Sequence, residues 1–189
     1  MTRIVLLAAL LCAGGLKAEP AEDNSGATAF ARLRALAGEW VGTFAWSGAR
    51  TSTGAMNATY YLTGNGSAVV ENLVMAGVPV MTSVYHMDGT DLRMTHYCAA
   101  GNQPRLKAEH IDNAGGSVDF GFIDATNMPS PDAPHVHGVE LQFLDPDHLT
   151  LTFLFQSGGR ESRERIELRR VKTIHPTPHP SAAPPGASR

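Results

Sequence analysis

Two short stretches place chemistry-bearing side chains two residues apart: His96-Tyr97-Cys98 and His135-Val136-His137. In an extended strand, residues i and i+2 point to the same side. Each pair would therefore present two ligating groups on one face. Imidazole and thiolate suit zinc, copper or iron, so His96, Cys98, His135 and His137 form a candidate metal or haem site. The plainer reading is a set of interior polar groups that satisfy one another or orient a ligand, because two-residue spacing arises by chance in any strand-rich chain. A third reading makes His96 a general base and Cys98 a nucleophile. Side chains two apart on one strand rarely hydrogen-bond productively, and no acid that would orient the histidine is identifiable. Catalysis is the reading these residues support least, and no catalytic residue is assigned.

These positions acquire meaning only from the strands that carry them. Apolar and polar residues alternate over 39–46, 55–63, 67–75, 80–87, 92–98, 106–112, 117–123, 137–144, 149–156 and 161–171. Turn signals such as Gly64-Asn65-Gly66, Asp88-Gly89-Thr90-Asp91 and Asp145-Pro146-Asp147 separate them. Consecutive hairpins without helical crossovers make an antiparallel meander, and a sheet of this many strands curls and closes. The predicted fold is all-β: a single up-and-down antiparallel barrel of about ten strands. A short N-terminal helix is expected over 28–37, capped by Thr28 and ended by Gly38.

Alternation then assigns faces. If the turn at Gly89-Thr90 pairs Met87 with Leu92, then Met81, Ser83, Tyr85 and Met87 share a face with Leu92, Met94, His96 and Cys98. That face is the more apolar one and is expected to point inward. Val139, Leu141 and Phe143 bring His135 and His137 inward by the same rule, and His110 shares a face with Leu106 and Ala108. On the last strand Ser162, Glu164, Ile166 and Leu168 lie opposite a charged stripe, Glu161, Arg163, Arg165, Glu167 and Arg169, which reads as solvated. The candidate cavity residues are Tyr85, Met94, His96, Cys98, Asn102, Gln103, Arg105, His110, His135 and His137. Segment 127–134 reads as a long loop at one rim.

Composition sets outer limits. The chain has 189 residues, 43% hydrophobic and 17% charged, with a formal net charge of −3. That describes one globular domain and argues against a nucleic-acid binder, which carries a basic face. Residues 1–18 read as a secretory signal peptide: a basic start at Arg3, an apolar run over 4–11, and cleavage after Ala18. The run is too short to span a bilayer, so the expected location is periplasmic or secreted, with no integral span after signal removal. Residues 19–27 read as a linker, 28–171 as the barrel, and the Pro-rich 172–189 as a disordered tail. Removing the signal removes Cys12 and leaves Cys98 alone, so an internal disulfide is excluded and burial of the thiol is expected.

Leu36-Ala37-Gly38-Glu39-Trp40-Val41-Gly42-Thr43 resembles the opening Gly-x-Trp-x-Gly of calycin-type barrels, in which the Trp closes the barrel floor. The ten strands and the closing Ile166-Glu167-Leu168-Arg169 look like nitrobindin and fatty-acid-binding-protein relatives. Thr95-His96-Tyr97-Cys98, followed by Gly101-Asn102-Gln103-Pro104-Arg105, resembles a signature of uncharacterised secreted bacterial barrel proteins. Asp124-Ala125-Thr126-Asn127 and His135-Val136-His137 belong to the same pattern. Together the resemblance covers 33–170. Nitrobindins hold haem through a histidine on the final strand. Residues 160–171 contain none, and Phe44 stands where the third Gly of their opening motif would be, so haem binding does not carry over. A haem would need a different histidine, such as His96. Fatty-acid-binding proteins fix a carboxylate with interior Arg and Tyr, for which the resemblance offers Arg105 and Tyr85. The expected function is an exported barrel holding a small apolar or amphipathic molecule. Metal or haem binding through His96, Cys98, His135 and His137 is the alternative.

Overall fold

Each of the ten alternating segments is a strand in the computed structural model, which describes residues 24–172. They are β1 (Gly38–Gly48), β2 (Ser52–Thr63), β3 (Ala68–Met75), β4 (Val78–Asp88), β5 (Asp91–Tyr97), β6 (Gln103–Asp112), β7 (Ser117–Thr126), β8 (His135–Asp145), β9 (His148–Ser157) and β10 (Arg160–Arg170). Every strand pairs antiparallel with its neighbours in sequence, and β1 also pairs with β10, with Trp40 opposite Arg170 and Gly48 opposite Ser162. The sheet is therefore a closed up-and-down barrel without free edges. The expected signal peptide, residues 19–23 of the expected linker and residues 173–189 of the tail lie outside the described residues. No described helix is long and apolar enough to cross a membrane.

The helix α1 (Ser25–Ala35) starts earlier than the sequence reading placed it, inside the expected linker. Thr28 is not its cap. The Thr28 N–H donates to the Asn24 carbonyl at 3.1 Å, so Thr28 belongs to the first turn. Ala29, Phe30 and Leu33 recur at helical spacing and are buried. They plug one end of the barrel. Arg32 Nη2 donates to the Asn113 carbonyl at 2.7 Å, and Asn113 Nδ2 returns a bond to the Ser25 carbonyl at 3.1 Å.

The resemblance to Gly-x-Trp-x-Gly has a physical basis at this same end. Trp40 is buried and donates from Nε1 to the Leu36 carbonyl at 2.9 Å. Its ring meets Tyr60 edge-on, with centroids 6.1 Å apart. Arg170 lies over the ring, 4.4 Å from its centroid. From there Arg170 donates to the orphan carbonyls at the end of the helix, Ala35 at 2.9 Å and Ala37 at 3.0 Å. Gly42 has no alternative: a Cβ there would collide with the Glu167 carbonyl across the β1–β10 pair. Helix, Trp and Arg close the floor, and the opposite end, where β1 runs into β2 and β5 into β6, forms the mouth.

Two of the register shifts in the sheet overturn the faces assigned to the histidines. The β6–β7 register shifts between Ala108 and His110, and the β8–β9 register shifts between Val136 and Gly138. A bulge inserts one residue and reverses the side to which everything beyond it points. His110 is consequently exposed instead of sharing the interior with Leu106. His137 is exposed too, and Val136 is buried among the core residues in its place.

Candidate ligand-binding site

Register places one polar row across four strands inside the barrel. Tyr60 on β2 stands opposite Glu71 on β3, Glu71 opposite Ser83 on β4, and Ser83 opposite His96 on β5. All four side chains are buried. Tyr60 Oη donates to Glu71 Oε2 at 2.7 Å, and Tyr85 Oη donates to the same oxygen at 3.1 Å. Ser83 Oγ and His96 Nδ1 share a hydrogen bond at 3.0 Å. Burial pushes the Glu71 carboxyl above its ordinary range, while the hydroxyls of Tyr60, Ser83 and Tyr85 pull it back. Burial and then the Glu71 charge push both tyrosines well above the ordinary phenol range. Burial pulls His96 down to about 3, so the ring is neutral at physiological pH. Its Nε2 and the second oxygen of Glu71 have no hydrogen-bond partner among the described residues.

The cavity lies between this row and the mouth. It holds about 570 Å³ and is lined largely by Phe44, Met56, Met75, Met81, Phe153 and Phe155, with Cys98, Val136 and Trp46 in the same wall. Phe153 forms part of its floor and packs on His96, with ring centroids 5.0 Å apart. One acid breaks the apolar wall. Glu164 on β10 is 3% exposed and is pushed up to about 7, chiefly by burial. Arg50 and the Trp46 N–H oppose that shift. Arg50 itself sits at the mouth, 4.1 Å above the Trp46 ring.

The residues named from sequence divide into three groups. Tyr85, Met94 and His96 are interior, and Cys98 lines the cavity. Burial raises the Cys98 thiol, and its Sγ accepts from the Ala100 N–H at 3.4 Å.

Asn102, Gln103 and Arg105 form the second group, and they brace the mouth instead of facing into it. Arg105 is exposed and grips Asp124 with a two-pronged ion pair, Nη2 to Oδ2 at 2.6 Å. Gln103 accepts from Thr126 Oγ1 at 2.7 Å. Asn127 Nδ2 donates to the Gly101 carbonyl at 2.6 Å, and Asn102 Nδ2 to the Pro134 carbonyl at 2.7 Å. The Gly101–Arg105 and Asp124–Asn127 portions of the sequence signature are thus two halves of one rim brace. Arg105 is not the interior counterpart of a fatty-acid-binding arginine, because its charge is already paired at the surface.

His110, His135 and His137 are the third group, and none lines the cavity. His135 is buried against the rim loop with Nδ1 2.7 Å from the Ala133 carbonyl. His135 Nε2 lies 3.3 Å from His137 Nδ1, and both rings pack on Phe122. Among the described residues no three His, Cys, Asp or Glu side chains gather as a metal site. The structure does not bring the four residues of the metal alternative together. Glu71, Ser83 and Glu164 were absent from the candidates, although alternation from Val69 and Leu73, from Tyr85, and from Ile166 puts each of them inside.

No protein-family model matches the chain, and no curated protein matches it. Its fold is similar to that of Rv2717c from M. tuberculosis, with a TM-score of 0.53 at 16% identity, covering 76% of this chain and 98% of that one. It is also similar to a protein of unknown function from the DUF3598 family of Nostoc punctiforme, with a TM-score of 0.51 at 12% identity. That match covers 74% of this chain and 49% of the Nostoc protein, so this chain spans about half of its length. At these identities the likeness is one of fold.

Proposed function

We propose that this chain is an exported barrel that holds a small apolar or amphipathic molecule. The cavity carries the reading. A closed barrel with a plugged floor leaves about 570 Å³ open toward one end, within the range that small-molecule sites occupy. Its walls are Met and Phe, and Met adapts its shape to whatever packs on it. An apolar body buried there gains about 25 cal/mol per Å² removed from water. Export rests on the first 18 residues of the sequence.

The test is binding of a neutral apolar fluorophore to the protein and to a Met81→Trp variant, whose larger ring would occupy the cavity. Emission should rise with the native protein, and the variant should bind at least about tenfold more weakly, a change of ~1.4 kcal/mol. Equal binding to both would place the fluorophore elsewhere and remove the support for the cavity.

A further inference from the structure

The apolar cavity wall carries one acid, Glu164, paired with Trp46 two residues inside the last β1–β10 pair at the mouth. We propose that the cavity selects amphipathic molecules whose polar end is a protonated amine, with the ammonium set against Glu164 and the apolar body among Phe44, Met75, Met81 and Phe155. The inference rests on the cavity being a ligand site and adds the chemical class of the ligand.

Three observations carry it. Glu164 is 3% exposed and stands on the inward face of β10 between Trp46 of β1 and Phe153 of β9. It lines the cavity wall itself. Among the described residues no cation is close enough to form an ion pair with it. Arg50 acts on it from a distance and is committed to the Trp46 ring at the mouth. The other titratable group in range is Cys98, which is neutral while its thiol is raised. A buried carboxylate held only by the Trp46 N–H and the more distant Arg50 charge is a costly arrangement, and a ligand that brings a close cation relieves it. A ligand carboxylate would meet the Glu164 charge instead. Arg105 offers no cation to a ligand carboxylate, because it is paired with Asp124 on the outside, and Arg50, the arginine that lines the cavity, sits at its mouth over the Trp46 ring.

Protonation gives the binding a direction with pH. Glu164 titrates near neutrality, so its charged fraction grows as pH rises, whereas an alkylamine stays protonated throughout. Amine affinity should therefore increase from about pH 6 to about pH 8.

The experiment displaces a neutral apolar fluorophore with dodecylamine, dodecanol and dodecanoate, which share one chain and differ in the head. At about pH 8, dodecylamine should displace at a concentration about tenfold lower than dodecanoate, as expected for a charge-assisted bond in a desolvated site. In Glu164→Gln that preference should collapse and the pH dependence should flatten. Should Glu164→Gln fail to fold, the pH series on the native protein still decides. Dodecanoate binding as well as dodecylamine, or an amine affinity flat with pH, would overturn the amine assignment while leaving the cavity occupied by an apolar molecule. Failure of the fluorophore itself to bind would overturn the cavity reading beneath it.

Discussion

Three buried ionisable side chains give the interior a pH signature, and their signs differ. Glu164 titrates at about 7 in the folded protein against an ordinary value of 4.5. Folding tightens its hold on the proton, so its contribution to stability is full below about pH 4.5 and is lost as pH climbs through 7, to a limit of ~3 kcal/mol. Glu71 is raised as well and acts in the same direction. His96 is lowered from 6.5 to about 3. Its contribution is full above about pH 6.5 and is lost as pH falls toward 3, to a limit of ~5 kcal/mol. Urea unfolding across pH separates them. Glu164→Gln should gain stability relative to the native protein between about pH 5 and about pH 8. His96→Asn, which keeps a partner for Ser83 Oγ, should flatten the decline between about pH 6 and about pH 4. Parallel curves for native protein and variants would contradict the burial argument. Both acids were readable as inward from alternation, since Glu71 follows Val69 and Glu164 precedes Ile166 by two residues. What alternation does not convey is that Tyr60 and Tyr85, on different strands, both converge on Glu71. A contact between strands depends on register, which a single sequence does not contain.

At the scale of elements, the floor is the feature whose loss should be felt most. Trp40→Ala would remove a buried ring that touches Tyr60, the helix and Arg170, and should destabilise the protein by ~3 kcal/mol or more. Arg170→Ala strips the donors from the helix end but leaves the Trp40 ring in place. It should cost less than Trp40→Ala and should selectively speed hydrogen exchange of the α1 amides. Uniform acceleration across the barrel would mean that helix and strands unfold as one unit, contrary to the local bracing described here. The ten strands were legible because one face of each is core, and their predicted ends fall within three residues of the observed ones. The bulges at Ala108–His110 and Val136–Gly138 were not legible. Nothing in Leu106-Lys107-Ala108-Glu109-His110 or in Val136-His137-Gly138 announces an extra residue, yet each reverses the facing of a histidine. The start of α1 was missed for a related reason. Ser25 and Gly26 have weak helical preference, and Gly26 lies so close to the Thr90 carbonyl that an added Cβ would collide with it, a tertiary contact that propensity does not convey.

At the scale of the molecule, one end of the barrel is fixed and the other is built for access. The helix and Arg170 seal the floor. The rim brace from Arg105–Asp124 to Asn127–Gly101 stiffens one side of the mouth. Between them, an apolar cavity with a single buried acid is the part of the structure that neither packing nor closure explains. Occupancy of that cavity is the central claim. Native mass spectrometry of the protein expressed from its full sequence, set against its denatured mass, tests it most directly. The account predicts a denatured chain lacking residues 1–18 and a native mass greater by one small organic molecule. That added mass should vanish in Met81→Trp. Identical native and denatured masses in protein recovered by gentle lysis, or an added mass retained in Met81→Trp, would contradict it.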